Sequence, residues 1–148
     1  MSYNQTFVIY NYTPYEMTLD AGNSENLDGS WPSTVPAATA EPEPNPGISQ
    51  FTQNEAGDMN PTAVYILQSN PAITATLHFY CVAFGAGHVN MTLTYSSTPD
   101  FSSAISEDNH TNNPQSRSCT NNLSNEDYGN ISSRGTANFV IGQGSIPS

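Results

Sequence analysis

Residues 73–95 constrain the fold of this chain most, because they hold its longest alternation of apolar and polar residues. In the first run, alternate residues fall on one face of the predicted strand: Ile73, Ala75, Leu77, Phe79, Cys81 and Ala83. The residues between them fall on the other face: Thr74, Thr76, His78, Tyr80, Val82 and Phe84. A Gly-Ala-Gly turn follows, and the alternation then resumes up to Tyr95. Two runs of period two joined by a glycine-rich turn predict a β-hairpin at the centre of an antiparallel sheet.

Shorter runs on either side predict more strands, separated by turn signals. Residues 6–13 predict a first strand, 15–19 a return strand, 47–52 a short strand, 61–68 a strand with apolar residues on both faces, and 128–133 with 135–142 a closing hairpin. We expect the proline-rich connection 32–46 to lie outside the core, and the polar stretch 96–125 to be an ordered loop or an additional edge strand. No stretch of ten residues keeps a helical period. The predicted fold is therefore an all-β, single-domain antiparallel β-sandwich over residues 1–148.

The charge balance limits the partners that this chain can bind. Its 13 acidic residues face only two cationic ones, Arg117 and Arg134, which gives a net charge of −11. Such a charge repels phosphate backbones and anionic lipid surfaces at neutral pH. We therefore expect no nucleic acid partner but a neutral, zwitterionic or cationic one, and the candidates are a zwitterionic lipid headgroup or a glycan. The acidic charge could equally serve only to keep the protein soluble.

The sequence offers no recognisable catalytic or metal-binding constellation, so we expect neither an enzyme nor a cofactor. The three histidines lack the paired spacing of a zinc site. The turn-rich segment 20–31 is acidic, but its acids do not follow the spacing of an EF-hand loop. Cys81 and Cys119 could form one disulfide, although free thiols are favoured because no secretion signal is recognisable.

Aromatic residues give the predicted ligand site. Trp31 stands alone between Gly29-Ser30 and Pro32, where a large ring needs either a pocket or a ligand. Tyr80 and Phe84 share the outward parity of the central strand and lie beside the turn that carries His88 and Asn90. Exposed rings next to Asn and His suit stacking on a sugar or contact with a lipid headgroup. The alternative is that both sheet faces are covered and these rings only pack.

Several features, taken in order, resemble the aegerolysins, a family that includes insecticidal crystal proteins. They lie within about residues 6–95: Asn11-Tyr12-Thr13-Pro14, Met17-Thr18-Leu19, Gly29-Ser30-Trp31, Glu55-Ala56-Gly57, Leu77-His78-Phe79 and Gly87-His88-Val89-Asn90. The same order is similar, more loosely, to the actinoporin-like sandwich and the fruit-body lectins. Aegerolysins are small acidic β-sandwiches that bind membrane lipids, and some form pores with a larger partner protein. The resemblance implies that Trp31 and the turn after Tyr80 lie near such a binding face. The chain lacks the Trp-Asp and proline that members commonly carry there.

The leading hypothesis is a non-enzymatic protein that recognises a membrane lipid or glycolipid, of cytolysin-like type and with a defensive or toxic role. Its membrane contact would be peripheral, with a larger pore-forming partner or self-association. One alternative is a soluble lectin, and another is a structural, storage or inclusion protein. No basic and apolar leader precedes the first strand, so either the protein lacks a conventional secretion signal or the numbering begins after one was replaced by Met. We therefore expect a cytoplasmic protein, or one released without a conventional signal, that acts extracellularly at target membranes.

Overall fold

The computed structural model describes residues 3–25, 31–39, 45–55, 60–69, 71–81, 88–97, 99, 101–107, 115–119, 123–130 and 136–143. Within these ranges it describes only the backbone at 3–5, 53–55, 81, 88–89, 106–107, 115–119 and 123–130. The strands are β1 (Tyr3–Asn11), β2 (Met17–Leu19), β3 (Thr34–Val35), β4 (Gly47–Glu55), β5 (Thr62–Leu67), β6 (Ile73–Cys81), β7 (His88–Tyr95), β8 (Ser103–Glu107), β9 (Gln115–Cys119), β10 (Leu123–Asn130) and β11 (Thr136–Ile141). One turn of 3-10 helix, Ala21–Asn23, follows β2.

The strands form two sheets packed face to face, which confirms the predicted all-β sandwich. The five-stranded sheet has the order β4-β1-β11-β8-β9, and the six-stranded sheet has the order β10-β7-β6-β5-β2-β3. All described strand pairs are antiparallel except β1 with β11, which run parallel. The first and last strands of the chain thus lie side by side in the middle of one sheet.

The predicted pairing of the two central runs is confirmed as β6 and β7, in the interior of the six-stranded sheet, while the predicted turn at 85–87 lies outside the described residues. The two strands pair from Ala75 with Tyr95 to Cys81 with Val89. The side chains on the inward face of these strands are buried, as the alternation predicts. Those with no exposed surface are Ala75, Leu77, Phe79, Met91 and Leu93. The outward parity is half-buried.

Three predicted connections are wrong, the first two because a period of two identifies a strand without identifying its partner. The return strand, now β2, does not pair with β1 but crosses to the other sheet and pairs with β3 and β5. The closing hairpin is not a hairpin, because β10 pairs with β7 while β11 pairs with β1 and β8. The connection 32–46 does contribute to the core, since it contains β3 and the fully buried Val35.

The polar stretch 96–125 holds more structure than its composition indicates. Its described part contains an interior strand, β8, an edge strand, β9, and the first residues of β10. In β8, Ser103, Ala104 and Ile105 are all buried, so both faces of this strand are covered. The hydroxyl of buried Tyr95 is hydrogen-bonded to Ser103 Oγ, which joins β7 of one sheet to β8 of the other.

The core lies between the sheets and is rich in aromatic rings. The Phe7 ring contacts Phe79 edge-on at 5.1 Å between centroids, Phe51 in a stacked arrangement at 5.3 Å, and Trp31 at 5.5 Å. Such arrangements contribute roughly 0.5–1.5 kcal/mol each beyond the burial of apolar area. The rings therefore hold β1 and β4 of one sheet against β6 of the other.

Candidate functional site

Trp31, the first residue of the predicted ligand site, lies in the core. Its side chain is only 3% exposed, and its ring lies 4.7 Å from Phe51 and 6.4 Å from Tyr65 between centroids. The Tyr65 hydroxyl donates to the carbonyl oxygen of Pro32 at 2.8 Å, and its burial raises the pKa of Tyr65. The sequence analysis left two alternatives for this ring, a pocket within the protein or a bound ligand. The structure places it in a pocket formed by the protein's own side chains.

The indole nitrogen of Trp31 is unusual within this pocket. Among the described residues, Trp31 Nε1 is the buried side-chain nitrogen that has no hydrogen-bond partner. An unpaired buried donor is destabilising, at about 1–3 kcal/mol. The favourable aromatic contacts of Trp31 thus offset the free-energy cost of leaving its indole N–H unpaired.

The structure brings together two of the remaining predicted residues. Tyr80 of β6 is paired with Asn90 of β7, and both are half-buried on the outer face of the six-stranded sheet. His88 is paired through its backbone with Asn130 of β10, and its side chain lies outside the described part of the structure, as does all of Phe84. Tyr80 and Asn90 are therefore the part of the predicted site whose geometry is described.

The outer face around this pair is lined by threonines. Across the sheet, Thr76 pairs with Thr94 and Val64, and His78 pairs with Thr92 and Thr62. The ring N–H of His78 donates to Oδ1 of Asn60, and partial burial lowers the pKa of His78. At neutral pH the His78 ring is therefore largely uncharged, and the described side chains around it carry hydroxyl and methyl groups. An acidic residue, Asp127 of β10, is paired with Asn90 at the side of this region.

The most exposed apolar groups lie near one end of β1. Two large apolar side chains are exposed among the described residues, Tyr15 at 37% and Ile48 at 51%. Ile48 lies beside half-buried Tyr10 on the outer face of the five-stranded sheet, because β4 pairs with β1 at this point. Half-buried Tyr12 follows two residues later with the same parity. We call this group, Tyr10, Tyr12, Tyr15 and Ile48, the tyrosine end.

One buried asparagine holds the tyrosine end together. Asn11 pairs with Gly47 at the start of β4, and its Nδ2 donates to the carbonyl oxygens of Tyr15 at 2.7 Å and Pro36 at 3.0 Å. Its Oδ1 accepts from the backbone N–H of Thr13 at 3.0 Å and from the Thr13 hydroxyl at 2.6 Å. Both exposed side chains, Tyr15 and Ile48, are thus anchored to segments that contact this one residue.

Sequence reasoning did not find the tyrosine end. The signal was present in Tyr10, Tyr12 and Tyr15, three tyrosines around Pro14 where the first strand stops. Alternation showed that Tyr10 and Tyr12 share a face, but not that Ile48 would lie next to that face. Only the β1–β4 register supplies that neighbour.

The described residues contain no group of three metal-ligating side chains, and no described helix is long and apolar enough to cross a membrane. Cys81 lies in β6 and Cys119 in β9, which belong to different sheets. Their side chains are outside the described part, so the disulfide stays a prediction.

The fold and these two surfaces define an all-β sandwich with one threonine-lined sheet face and one tyrosine-rich end. No family model, curated protein or solved structure matches the chain. The resemblance to the aegerolysins therefore stays a prediction.

Proposed function

We propose that this protein is a non-enzymatic recognition protein that docks peripherally on a zwitterionic lipid surface through its tyrosine end. The observation that supports this most is the exposure of Tyr15 and Ile48 beside one end of β1. Tyrosine rings suit the membrane interface because they combine an apolar body with a polar tip. An aliphatic side chain beside them supplies the apolar area that interfacial binding needs.

The charge of the chain specifies the kind of surface. A net charge of −11 opposes contact with anionic bilayers, so phosphatidylcholine or sphingomyelin vesicles are the preferred target. The sequence pI is about 4.1, so the repulsion from anionic vesicles weakens as the pH falls towards that value. Any defensive or toxic role, and any larger partner, would follow from this docking step.

Co-sedimentation with phosphatidylcholine and sphingomyelin vesicles tests the proposal. Replacing half-exposed Ile48 by Ser removes apolar contact worth about 1 kcal/mol, so binding should weaken by roughly fivefold. Tyr15→Ser should weaken it similarly, and the double variant more. Tyr80→Ser, on the outer face of the other sheet, is the matched control and should bind as the parent does.

Two results would contradict docking through the tyrosine end. One is no binding of the parent to either vesicle at neutral or mildly acidic pH. The other is full binding by the Ile48→Ser, Tyr15→Ser double variant. If the parent instead binds soluble glycans and Tyr80→Ala abolishes that binding, the protein is a lectin. That alternative is favoured by the pairing of Tyr80 with Asn90 on a threonine-lined sheet face.

A further inference from the structure

Strand β4 is a long strand at the edge of the described five-stranded sheet. It pairs with β1 over nine residues, from Gly47 opposite Asn11 to Glu55 opposite Tyr3, without a break in register. No described strand pairs with its other side, since β4 ends the order of the five-stranded sheet. Natural edge strands are protected by lysine, proline, bulges or short length. β4 contains neither lysine nor proline, and its pairing with β1 shows no bulge.

The described contacts that β4 makes with the opposite sheet come from its inward face and not from its edge. Ser49 Oγ donates to the carbonyl oxygen of Thr34 at 3.1 Å. A Cβ atom added to Gly47 would lie against the carbonyl group of Pro36. Gly47, Ser49 and Phe51 share the inward parity, so both contacts come from the face of the strand. A pairing strand approaches in the plane of the sheet instead.

The composition of β4 also permits self-pairing in a chain that otherwise repels its copies. Glu55, its last residue, is the only charged residue of the strand, although the chain has a net charge of −11. In a fully overlapping antiparallel pair of two β4 strands, Phe51 lies opposite its own copy. Glu55 then lies opposite Gly47, so the pairing puts no like charges directly across from each other.

Phe51 supplies an independent reason for a partner at this edge. Its ring packs on Phe7 and Trp31 but stays partly exposed, so the core is less completely covered here. A second β4 would bring another Phe51 alongside, because residues directly opposite in antiparallel strands have Cβ atoms about 4.5–5.5 Å apart. The same contact would thus satisfy backbone groups and cover an aromatic ring.

We propose that two copies of this chain associate through antiparallel pairing of their β4 strands, with the two-fold axis at Phe51. The two five-stranded sheets then form one continuous sheet across the dimer, which is an isologous interface. One strand pair buries less than a standard interface of about 1,600 Å², so the association is weak and concentration-dependent. This inference does not depend on lipid binding.

Sedimentation velocity over a concentration series up to about 1 mM, the range of weak association, tests the dimer. The parent should move from 15.9 kDa towards twice that mass as the concentration rises. Its β4 amides should become more protected from hydrogen exchange over the same range. A parent that stays monomeric throughout overturns the proposal.

A charge-swap pair tests the register. Gln50 and Thr52 are both exposed, and in the proposed pairing Gln50 lies opposite Thr52 of the second copy. A Gln50→Asp, Thr52→Asp variant and a Gln50→Lys, Thr52→Lys variant should each associate at least tenfold more weakly than the parent. An equimolar mixture should restore a dimer, because each carboxylate then meets an ammonium group.

The thermal unfolding of both variants checks that they fold, since neither residue is buried. Self-association of the aspartate variant at parental strength overturns the β4 interface. Loss of association in both variants with no recovery in the mixture overturns the antiparallel register. The aspartate variant should still bind vesicles, because its tyrosine end is unaltered. Measuring its vesicle binding therefore tests the lipid proposal separately from the dimer proposal.

Discussion

At the residue scale, Asn11 contributes more to the fold than its size indicates. It has no exposed surface, yet both of its amide hydrogens and its carbonyl oxygen have partners. Its four bonds join the end of β1 to the turn before β2 and to the segment after β3. Buried polar groups stabilise a fold in this way only when all of their hydrogen bonds are made.

Replacing Asn11 by Ala should therefore be strongly destabilising. The change leaves the carbonyls of Tyr15 and Pro36 without this donor and removes the acceptor for Thr13. We expect a loss of about 2–4 kcal/mol in the free energy of unfolding, measured by urea titration. Asn23→Ala is the control, because Asn23 is exposed and bonded only locally to Asp20. Equal losses in the two variants would contradict the structural role of Asn11.

At the element scale, the sequence predicted strands better than it predicted their partners. The β6–β7 hairpin was predictable because long alternation and a glycine-rich turn fix both strands and their connection. The sheet to which β2, β10 and β11 each belong was not predictable, because these strands pair with strands that are distant in sequence. β8 and β9 lie in a serine-rich stretch whose alternation is weak. Trp31 lies outside any strand, so no periodicity could indicate whether its ring faces inward.

The start of β4 offers a direct check of how the elements meet. A Cβ atom on Gly47 would lie 1.7 Å from the carbonyl oxygen of Pro36 and 2.4 Å from its carbon, so the backbone would have to move. Gly47→Ala should reduce the free energy of unfolding by about 3 kcal/mol, towards the upper end of overpacking effects. Gly22→Ala, whose Cβ atom would meet nothing closer than 3.7 Å, should change it by less than about 0.5 kcal/mol. A tolerated Gly47→Ala would contradict this close approach.

At the scale of the whole molecule, the accessible surface is that of a compact single chain and the net charge is strongly negative. The accessible surface of 7176 Å² is close to the roughly 7,400 Å² that size scaling gives for a monomer of this mass. The charge of −11 opposes contact between copies, and β4 contributes only Glu55 to that charge.

The candidate site was only partly predictable at this scale. Tyr80 and Asn90 were predicted to lie together, and the register of β6 and β7 places them side by side. Trp31 was predicted as a ligand-stacking ring, but in the structure it packs against core aromatics. Which surfaces stay exposed depends on how the two sheets pack, and local sequence patterns do not contain that information.

The fluorescence of Trp31, the single tryptophan of the chain, tests the central claim that its ring is core and the tyrosine end is the docking surface. Emission should be blue-shifted in the folded protein, stay unchanged when vesicles bind by co-sedimentation, and move to longer wavelength only on unfolding. Emission typical of a solvated indole in the folded protein, or a shift on vesicle binding, would contradict the claim.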